Sequence, residues 1–438
     1  MAEKRMAVYT LGCKVNQYES ALLAGLFSER GYEVVDFEDI ADVYIINTCT
    51  VTHLGDRKSR QLIRRAVRAN PAAVVAVTGC YAQTSPGELT EIPGVDLVIG
   101  TRDRARLVDL VETTAKGRCP VNAVSEYAAG DEFEEIAAMP LQGRVRAYLK
   151  VQDGCSNFCT YCIVPYARGP LRSRQPGRII EAAGKMVEEG FKEIVITGIQ
   201  TGAYGKDLDR NFTLAGLMRD LSGIPGLRRL RLGSIEPHDI TPELVEALSE
   251  SPIFCWHLHI PLQSGDDQIL SKMGRRYNTF EYLRLVDVLR ENMPGLGLTT
   301  DVMVGFPGET SENFLNTCRM IKKGSFSGLH VFKFSPRQGT PAAAFEGRVD
   351  PKTMDERSRK LIQLGRKLAA QLASRHLGKV LDVLAEQTYK DGSNLYEGLT
   401  GDYTRVVFPG EDDLKGQVVQ VKVEKLKGGL LEGRIIAQ

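Results

Sequence analysis

Short apolar runs alternate with longer amphipathic stretches through most of the chain. In the first 115 residues, Met6–Gly12, Val43–Thr48, Val74–Thr78 and Leu97–Ile99 read as strands. Gln17–Arg30, Ser59–Ala69 and Arg104–Ala115 read as the helices between them. Strands separated by helices need crossover connections, so the expected product is an open parallel α/β sheet. Ligands of such sheets collect beyond the carboxyl ends of the strands.

From Arg144 the alternation resumes. Strands are expected at Ala147–Val151, Glu193–Thr197, Leu227–Leu232, Trp256–Leu262, Leu298–Val304 and Leu329–Phe334. Helices are expected at Arg178–Glu189, Leu214–Leu221, Phe280–Glu291 and Glu312–Lys323. Such repeats predict a partial (β/α)6 barrel with its chemistry at the C-terminal mouth. Glycine-rich polar elements follow five of these strands: Thr197–Gly205, Gly233–Asp239, Pro261–Asp267, Val304–Thr310 and Ser335–Ala342. Around Trp256, the residues Cys255, His257, His259 and Gln263 share one face by strand alternation, which is expected to line the barrel interior. The two histidines alone make a poor metal site, because the motif offers no carboxylate or thiolate partner. A long helical stretch, Lys352–Leu377, then leads to five short strand-like segments: Val380–Gln387, Leu395–Thr400, Thr404–Phe408, Val418–Lys425 and Leu430–Ile436. These predict a small antiparallel barrel. The domains expected are 1–115, a linker at 116–143, 144–375 and 376–438.

A length of 438 residues suits about three domains. Apolar content of 43% and charged content of 25% are ordinary for a globular protein, and a net charge of +1 does not by itself mark a nucleic-acid binder. Apolar runs such as Ala72–Val77 are too short to span a bilayer. The N-terminus passes from MAEKR into a strand-like segment without a signal-peptide core. Nine cysteines without an export signal favour a reducing cytoplasm, where metal or catalytic roles outweigh disulfides.

The cysteines change the picture most. Cys155, Cys159 and Cys162 form a C-x3-C-x2-C set with Tyr161 before the last thiol. Structural zinc takes four ligands, and no fourth Cys or His lies nearby to close such a site. Three thiolates on an iron–sulfur cluster instead leave one iron open. In the first domain Cys13, Cys49 and Cys80 each follow a strand of the expected parallel sheet, so they share one edge and form a second three-cysteine set. Isolated buried cysteines are the bland alternative, and three at equivalent strand ends argue against it. Cys119 and Cys318 match neither set, and Cys318 reads as helix packing.

After Cys49, residues 57–68 hold six basic side chains and no acidic one. Arg57, Arg60, Arg64 and Arg68 fall on one helical face, a candidate track for a phosphate backbone. The terminal barrel carries eight Lys/Arg and ten Asp/Glu from Lys379 onward, so RNA contact there needs placed groups. Arg405, Lys422, Lys425 and Lys427 are the phosphate candidates, and Tyr396, Tyr403 and Phe408 the stacking candidates. A plain docking module is the competing reading.

The segments TLGCKVNQYES, KVQDGCSNFCTYCIVPYARG and TGIQTGAYGKD resemble the methylthiotransferase branch of the radical S-adenosylmethionine (SAM) enzymes, and the resemblance spans essentially the whole chain. Within that branch they look like the MtaB type, which modifies threonylcarbamoyladenosine beside the tRNA anticodon. The resemblance implies two 4Fe–4S clusters, SAM, a C-terminal TRAM-like domain, a tRNA anticodon stem-loop as partner and an electron donor such as flavodoxin or ferredoxin. It implies that Cys155, Cys159 and Cys162 hold the cluster that cleaves SAM, and that Cys13, Cys49 and Cys80 hold the one bearing sulfur. It also implies Gly198, Ser234, Glu236, Gln263 and Arg275 as cofactor contacts. Relatives acting on isopentenyladenosine tRNA or on a ribosomal protein remain open alternatives, as does a non-catalytic zinc and RNA-binding protein.

Overall fold

The computed structural model describes residues 4–117, 119–128, 130–136, 145–208, 211–389, 394–410 and 413–437. Its contacts divide the chain into two compact units. The first comprises Met1–Gln142, Lys150–Arg174 and Ser335–Ala343; the second comprises Gly143–Leu149, Gln175–Phe334 and Ala344–Gln438.

The first unit is built on a six-stranded parallel sheet. Its spatial order runs Glu33–Val35, Arg5–Thr10, Val43–Thr48, Val74–Gly79, Leu97–Val98, Val121–Asn122. The central strands Val43–Thr48 and Val74–Gly79 are almost wholly buried, because helices cover both faces. Alternate residues therefore feed two separate cores: Tyr44, Ile46, Val75 and Val77 pack with Ile63 and Ala66, while Val43, Ile45 and Ala76 pack with Leu23 and Phe27. Two strands escaped the sequence pattern. Glu33–Val35 is a three-residue edge strand, and Val121–Asn122 lies inside the expected linker; both are too short to show a period. The rest of that linker includes residues 118, 129 and 137–143, which lie outside the described residues, as does Arg144. The basic helix also starts earlier than expected, at His53 and not Ser59, because the Thr52 side chain caps it by accepting from Gly55 N.

The second unit contains six parallel strands in chain order, in two three-stranded groups: Arg146–Lys150, Glu193–Thr197 and Arg229–Leu232, then His257–His259, Gly297–Val304 and Gly328–Lys333. Single bridges, Leu230 to Phe254 and Ser234 to His259, connect the groups into the expected partial barrel. Two helices, Pro242–Glu250 and Asp267–Lys272, were absent from the sequence reading; both are short, and Pro242 opens the first. The 23-residue helix Pro351–Ala373 then precedes a closed five-stranded barrel. That barrel is tied to the central strands by a buried charge group. Glu193 pairs with Arg229 and Arg231, whose guanidiniums donate to the carbonyls of Leu399, Thr400 and Gly401 at 3.0–3.2 Å. Burial opposes ionisation of Glu193, but the surrounding arginines prevail and hold its pKa at about 2.

Among the described residues no helix is long and apolar enough to cross a membrane. Gly79, immediately before Cys80, has φ +95°, and a Cβ there would strike the Thr48 carbonyl and the Asn47 side chain. Gly79→Ala should therefore destabilise the chain by about 1–3 kcal/mol. A lower urea midpoint with unchanged slope would register this; an unchanged midpoint would refute it.

Candidate active site

All six cysteines of the two sets belong to the first unit. The strand order places the switch in chain direction between Arg5–Thr10 and Val43–Thr48, the position where open α/β sheets bind ligands. Cys13 and Cys49 leave the carboxyl ends of those two strands, and Cys80 leaves the next.

Hydrogen bonds lock these three ends together. The Asn16 side-chain amide donates to the Leu11 carbonyl at 2.7 Å and to the Thr48 carbonyl at 3.0 Å, holding the Cys13 loop to the Cys49 loop. Asn47 donates back to the Asn16 carbonyl at 2.9 Å. Thr48 Oγ1 donates to the Thr78 carbonyl at 2.6 Å, tying the Cys49 strand to the Cys80 strand. The sulfurs lie within electrostatic reach: Cys49 feels Cys13, and Cys80 feels both. Cys13 is exposed and stands at the N-cap of the 16-residue helix Lys14–Glu29. Burial pushes the Cys49 thiol up and the Cys80 thiol up to about 12, with Arg168 pulling Cys80 the other way. A metal bound to the Cys80 sulfur would offset that burial and favour the thiolate further.

The C-x3-C-x2-C loop hangs from a two-residue antiparallel ladder, Gln152–Asp153 against Arg172–Ser173. Cys155 N donates to the Gly169 carbonyl at 3.1 Å, and Cys162 N to the Cys159 carbonyl at 2.9 Å. Gly154 has φ +77°, and a Cβ there would run into the Pro170 carbonyl, so only glycine lets the loop close. Phe158 adopts φ +44° and meets Tyr166 edge-on, ring centroids 5.8 Å apart. A strand precedes the loop, as expected, and a five-residue helix, Val164–Arg168, follows it.

A buried charge network joins the two sets, and sequence reasoning missed it. Arg168, at the end of the second motif, is fully buried. Its Nε donates to Cys80 Sγ at 3.3 Å, its Nη2 to Asn16 Oδ1 at 2.5 Å, and its guanidinium clamps the Glu19 carboxylate. Glu19 also meets Arg104 at 2.5 Å and Lys150 at 2.9 Å, and Lys150 meets Asp153 at 2.5 Å. Burial alone would raise the Glu19 pKa, but Arg104, Arg168 and Lys150 hold it well below the carboxylate range; Asp153 is held at about 2 for the same reason. The available signal was a Glu at the fourth residue after Val15 on a helix whose neighbours Tyr18, Leu22 and Leu23 face the core.

Both three-thiol sets fit an iron–sulfur group by donor chemistry, each offering three sulfurs and leaving one metal position open. A cleft of about 810 Å³ is lined by Arg60, Tyr81, Glu88, Tyr127, Tyr166 and Arg337, among others. Arg60 donates to the Tyr81 hydroxyl at 2.7 Å and is half-buried, whereas Arg57, Arg64 and Arg68 are exposed on the same helix.

The five cofactor candidates lie in the second unit. Glu236 pairs with Arg275, whose Nε donates to the Tyr277 hydroxyl at 3.0 Å. Gly198 follows the Glu193–Thr197 strand, Ser234 bridges to His259, and Gln263 bridges to Val302 with a left-handed backbone of φ +63°. That conformation, with a regular strand ending at His259, means that simple alternation does not carry the His257–His259 face on to Gln263.

The histidine pairing differs from the sequence reading. His259 joins Asp301 at 3.2 Å and His330 joins Asp301 at 3.3 Å, one residue from each of three neighbouring strands. His257 Nε2 and His259 Nδ1 both approach Thr299 Oγ1 at 2.9 Å. Burial opposes ionisation of Asp301, but hydrogen bonds from the two imidazoles hold it well below the carboxylate range. The carboxylate lies 42 residues beyond His259, too far for a motif to reveal.

Tyr403 also needs correction as a base-stacking candidate. Its ring stacks on His257, centroids 4.5 Å apart, and Arg231 lies 4.7 Å from its centroid, so the ring faces serve contacts within the second unit. Arg405 is exposed and pairs with Glu397 at 2.9 Å. Cys318 is buried in the helix Ser311–Gly324, and Cys119 is exposed.

Comparison with known proteins decides the family. Residues 5–100 match the uncharacterized protein family UPF0004, and residues 149–321 match the radical SAM superfamily. The threonylcarbamoyladenosine tRNA methylthiotransferase MtaB of Bacillus subtilis (strain 168) is 46% identical over 434 residues, covering 98% of this chain and 96% of that protein. The chain belongs to the radical SAM methylthiotransferases. Another member of that family, the tRNA-2-methylthio-N(6)-dimethylallyladenosine synthase of Moorella thermoacetica, is 36% identical over 442 residues, with 99% of each chain covered. In fold, this methylthiotransferase is similar to the radical SAM methyltransferase TsrM from Kitasatospora setae, solved with cobalamin and a 4Fe–4S cluster bound. The TM-score is 0.56 at 17% identity, covering 78% of this chain and 77% of that one. Membership in the radical SAM superfamily implies a 4Fe–4S cluster and SAM.

Glu19→Ala should cost about 3–5 kcal/mol, because it leaves Arg168, Arg104 and Lys150 buried without their common anion. Folded-state pKa values of Glu19 and Asp153 are depressed, so their contribution is complete above about pH 4.3 and lost as pH falls toward the folded values. Stability of the parent chain should therefore drop steeply between about pH 4 and pH 2, and less steeply in Glu19→Ala. Equal slopes by circular dichroism across that window would count against the network.

Proposed function

We propose that this methylthiotransferase attaches a methylthio group to C2 of N6-threonylcarbamoyladenosine at position 37 of tRNA. The observation that carries this reading is the near full-length 46% identity to the B. subtilis MtaB protein, against 36% to the dimethylallyladenosine-type relative. The C2–H bond of adenine has no acidic proton, so a general base cannot open it and radical chemistry is required. When bound, the two iron–sulfur groups and SAM supply the electron, the 5′-deoxyadenosyl radical and the methylated sulfur.

The chain's own residues divide that work. Cys155, Cys159 and Cys162 hold the group facing SAM, with Gly198, Ser234, Glu236, Gln263 and Arg275 as cofactor contacts. Cys13, Cys49 and Cys80 hold the group that carries sulfur, and the Asn16 and Thr48 hydrogen bonds keep their three strand ends at constant spacing. Arg57, Arg64 and Arg68 on the basic helix contact the RNA backbone, with Arg60 beside the cleft. The exposed Lys422, Lys425 and Lys427 on the terminal barrel are separate phosphate contacts, while Arg405 reaches RNA only by leaving Glu397. A flavodoxin or ferredoxin supplies electrons, and the enzyme works in the cytoplasm.

Mass spectrometry of tRNA nucleosides from cells lacking the protein should show loss of 2-methylthio-threonylcarbamoyladenosine; an unchanged level would sink the tRNA reading. Cys159→Ala should abolish 5′-deoxyadenosine formation, whereas Cys49→Ala should retain it yet give no methylthio product. Equal loss of SAM cleavage in both variants would contradict the division of roles. Replacing Arg57, Arg64 and Arg68 with Ala should lower the salt dependence of tRNA affinity by about 2–3 units of slope, and an unchanged slope would take the basic helix out of the interface.

A further inference from the structure

We propose that Arg168 is a positioning residue that makes the iron–sulfur group held by Cys13, Cys49 and Cys80 easier to reduce, through its N–H···S bond to Cys80 and its buried charge. The inference rests on the functional reading above and concerns a residue that lies in the other cysteine motif.

The geometry is specific. Three neighbours fix the guanidinium: Glu19 takes both terminal nitrogens, Asn16 Oδ1 takes Nη2 at 2.5 Å, and the remaining Nε–H points at Cys80 Sγ, 3.3 Å away. Asn16 Oδ1 is also 3.7 Å from Cys13 Sγ, so one guanidinium touches two of the three ligand-bearing segments. The surrounding charge is unbalanced. Arg168, Arg104, Lys150 and Arg172 are all buried, and the carboxylates buried with them are Glu19 and Asp153. Glu134 adds a third carboxylate at the rim, against Arg104. Buried cations in excess are unfavourable unless an anion completes the set. A thiolate-held iron–sulfur group is such an anion, and it becomes more negative on reduction. Hydrogen bonds to its sulfurs and nearby positive charge both favour the reduced form.

The reaction gives that preference a use. Joining a carbon radical to a sulfur lone pair brings three electrons to a bond that holds two. As the C–S bond forms, the bond that would hold that sulfur to the Cys13–Cys49–Cys80 iron–sulfur group breaks, and the third electron would stay on that group. A buried cation on Cys80 lowers the energy of that acceptor state.

The test is a redox titration followed by electron paramagnetic resonance, on the full-length chain reconstituted in a Cys159→Ala background so that the signal of the Cys13–Cys49–Cys80 group is isolated. Arg168→Gln should move its midpoint potential to a more negative value. Arg168→Lys, which keeps the charge and loses the Nε–H, should move it less in the same direction. Unshifted potentials at full iron content in both variants would overturn the proposal. If the Gln variant fails to fold or load iron, the Lys variant decides; if neither loads iron, Arg168 is only structural and the proposal is overturned as well. The titration uses no tRNA, so a wrong substrate assignment leaves its outcome unchanged, whereas the nucleoside assay reports on substrate alone.

Discussion

Glu19 and Arg168 form the contact on which the first unit depends. Each is fully buried, and Glu19 is the anion that Arg168 shares with Arg104 and Lys150. Glu19 comes from the helix that follows Cys13, and Arg168 from the helix that follows Cys162. Their pairing commits two motifs about 140 residues apart to one compact unit and brings a cation onto Cys80. An apolar pair of similar volume would cost less to bury. It would not offer Cys80 a hydrogen-bond donor or place a positive charge against its sulfur.

A parallel sheet does the coarser work. Because all its strands run one way, every strand end lies on one edge, and the reversal of strand order opens a crevice between the first and third strands in sequence. Cys13 and Cys49 flank that crevice. The side chains of Asn16, Asn47 and Thr48 then convert a shared edge into constant spacing, since each bonds to backbone of a neighbouring segment. The Asn47 bond goes to the Asn16 carbonyl in the helix after Cys13, and such side-chain to backbone bonds leave no period in the sequence.

In the second unit, charge again decides where a module sits. Glu193 holds Arg229 and Arg231 in position to donate to three carbonyls of the terminal barrel, and Tyr403 contacts both Arg231 and His257. An aromatic on a small barrel reads from sequence as a base-stacking platform. Here the ring is engaged by His257 and Arg231, both outside the small barrel.

Sequence by itself determined the architecture and the two cysteine sets. Strand and helix periods, three thiols in eight positions and three more at strand ends are local patterns, and local patterns survive in one dimension. The central strand Glu193–Thr197 and the barrel strand Leu395–Thr400 fall where their periods place them, while Glu33–Val35 and Val121–Asn122 are too short to carry one. Only the tertiary structure decided which charges meet. Glu19 with Arg168, Glu193 with Arg231, and Asp301 with His259 and His330 are pairings across tens to more than a hundred positions. An ionised side chain satisfies its burial with whatever partner the fold delivers, and nothing in its own neighbourhood says which partner that will be.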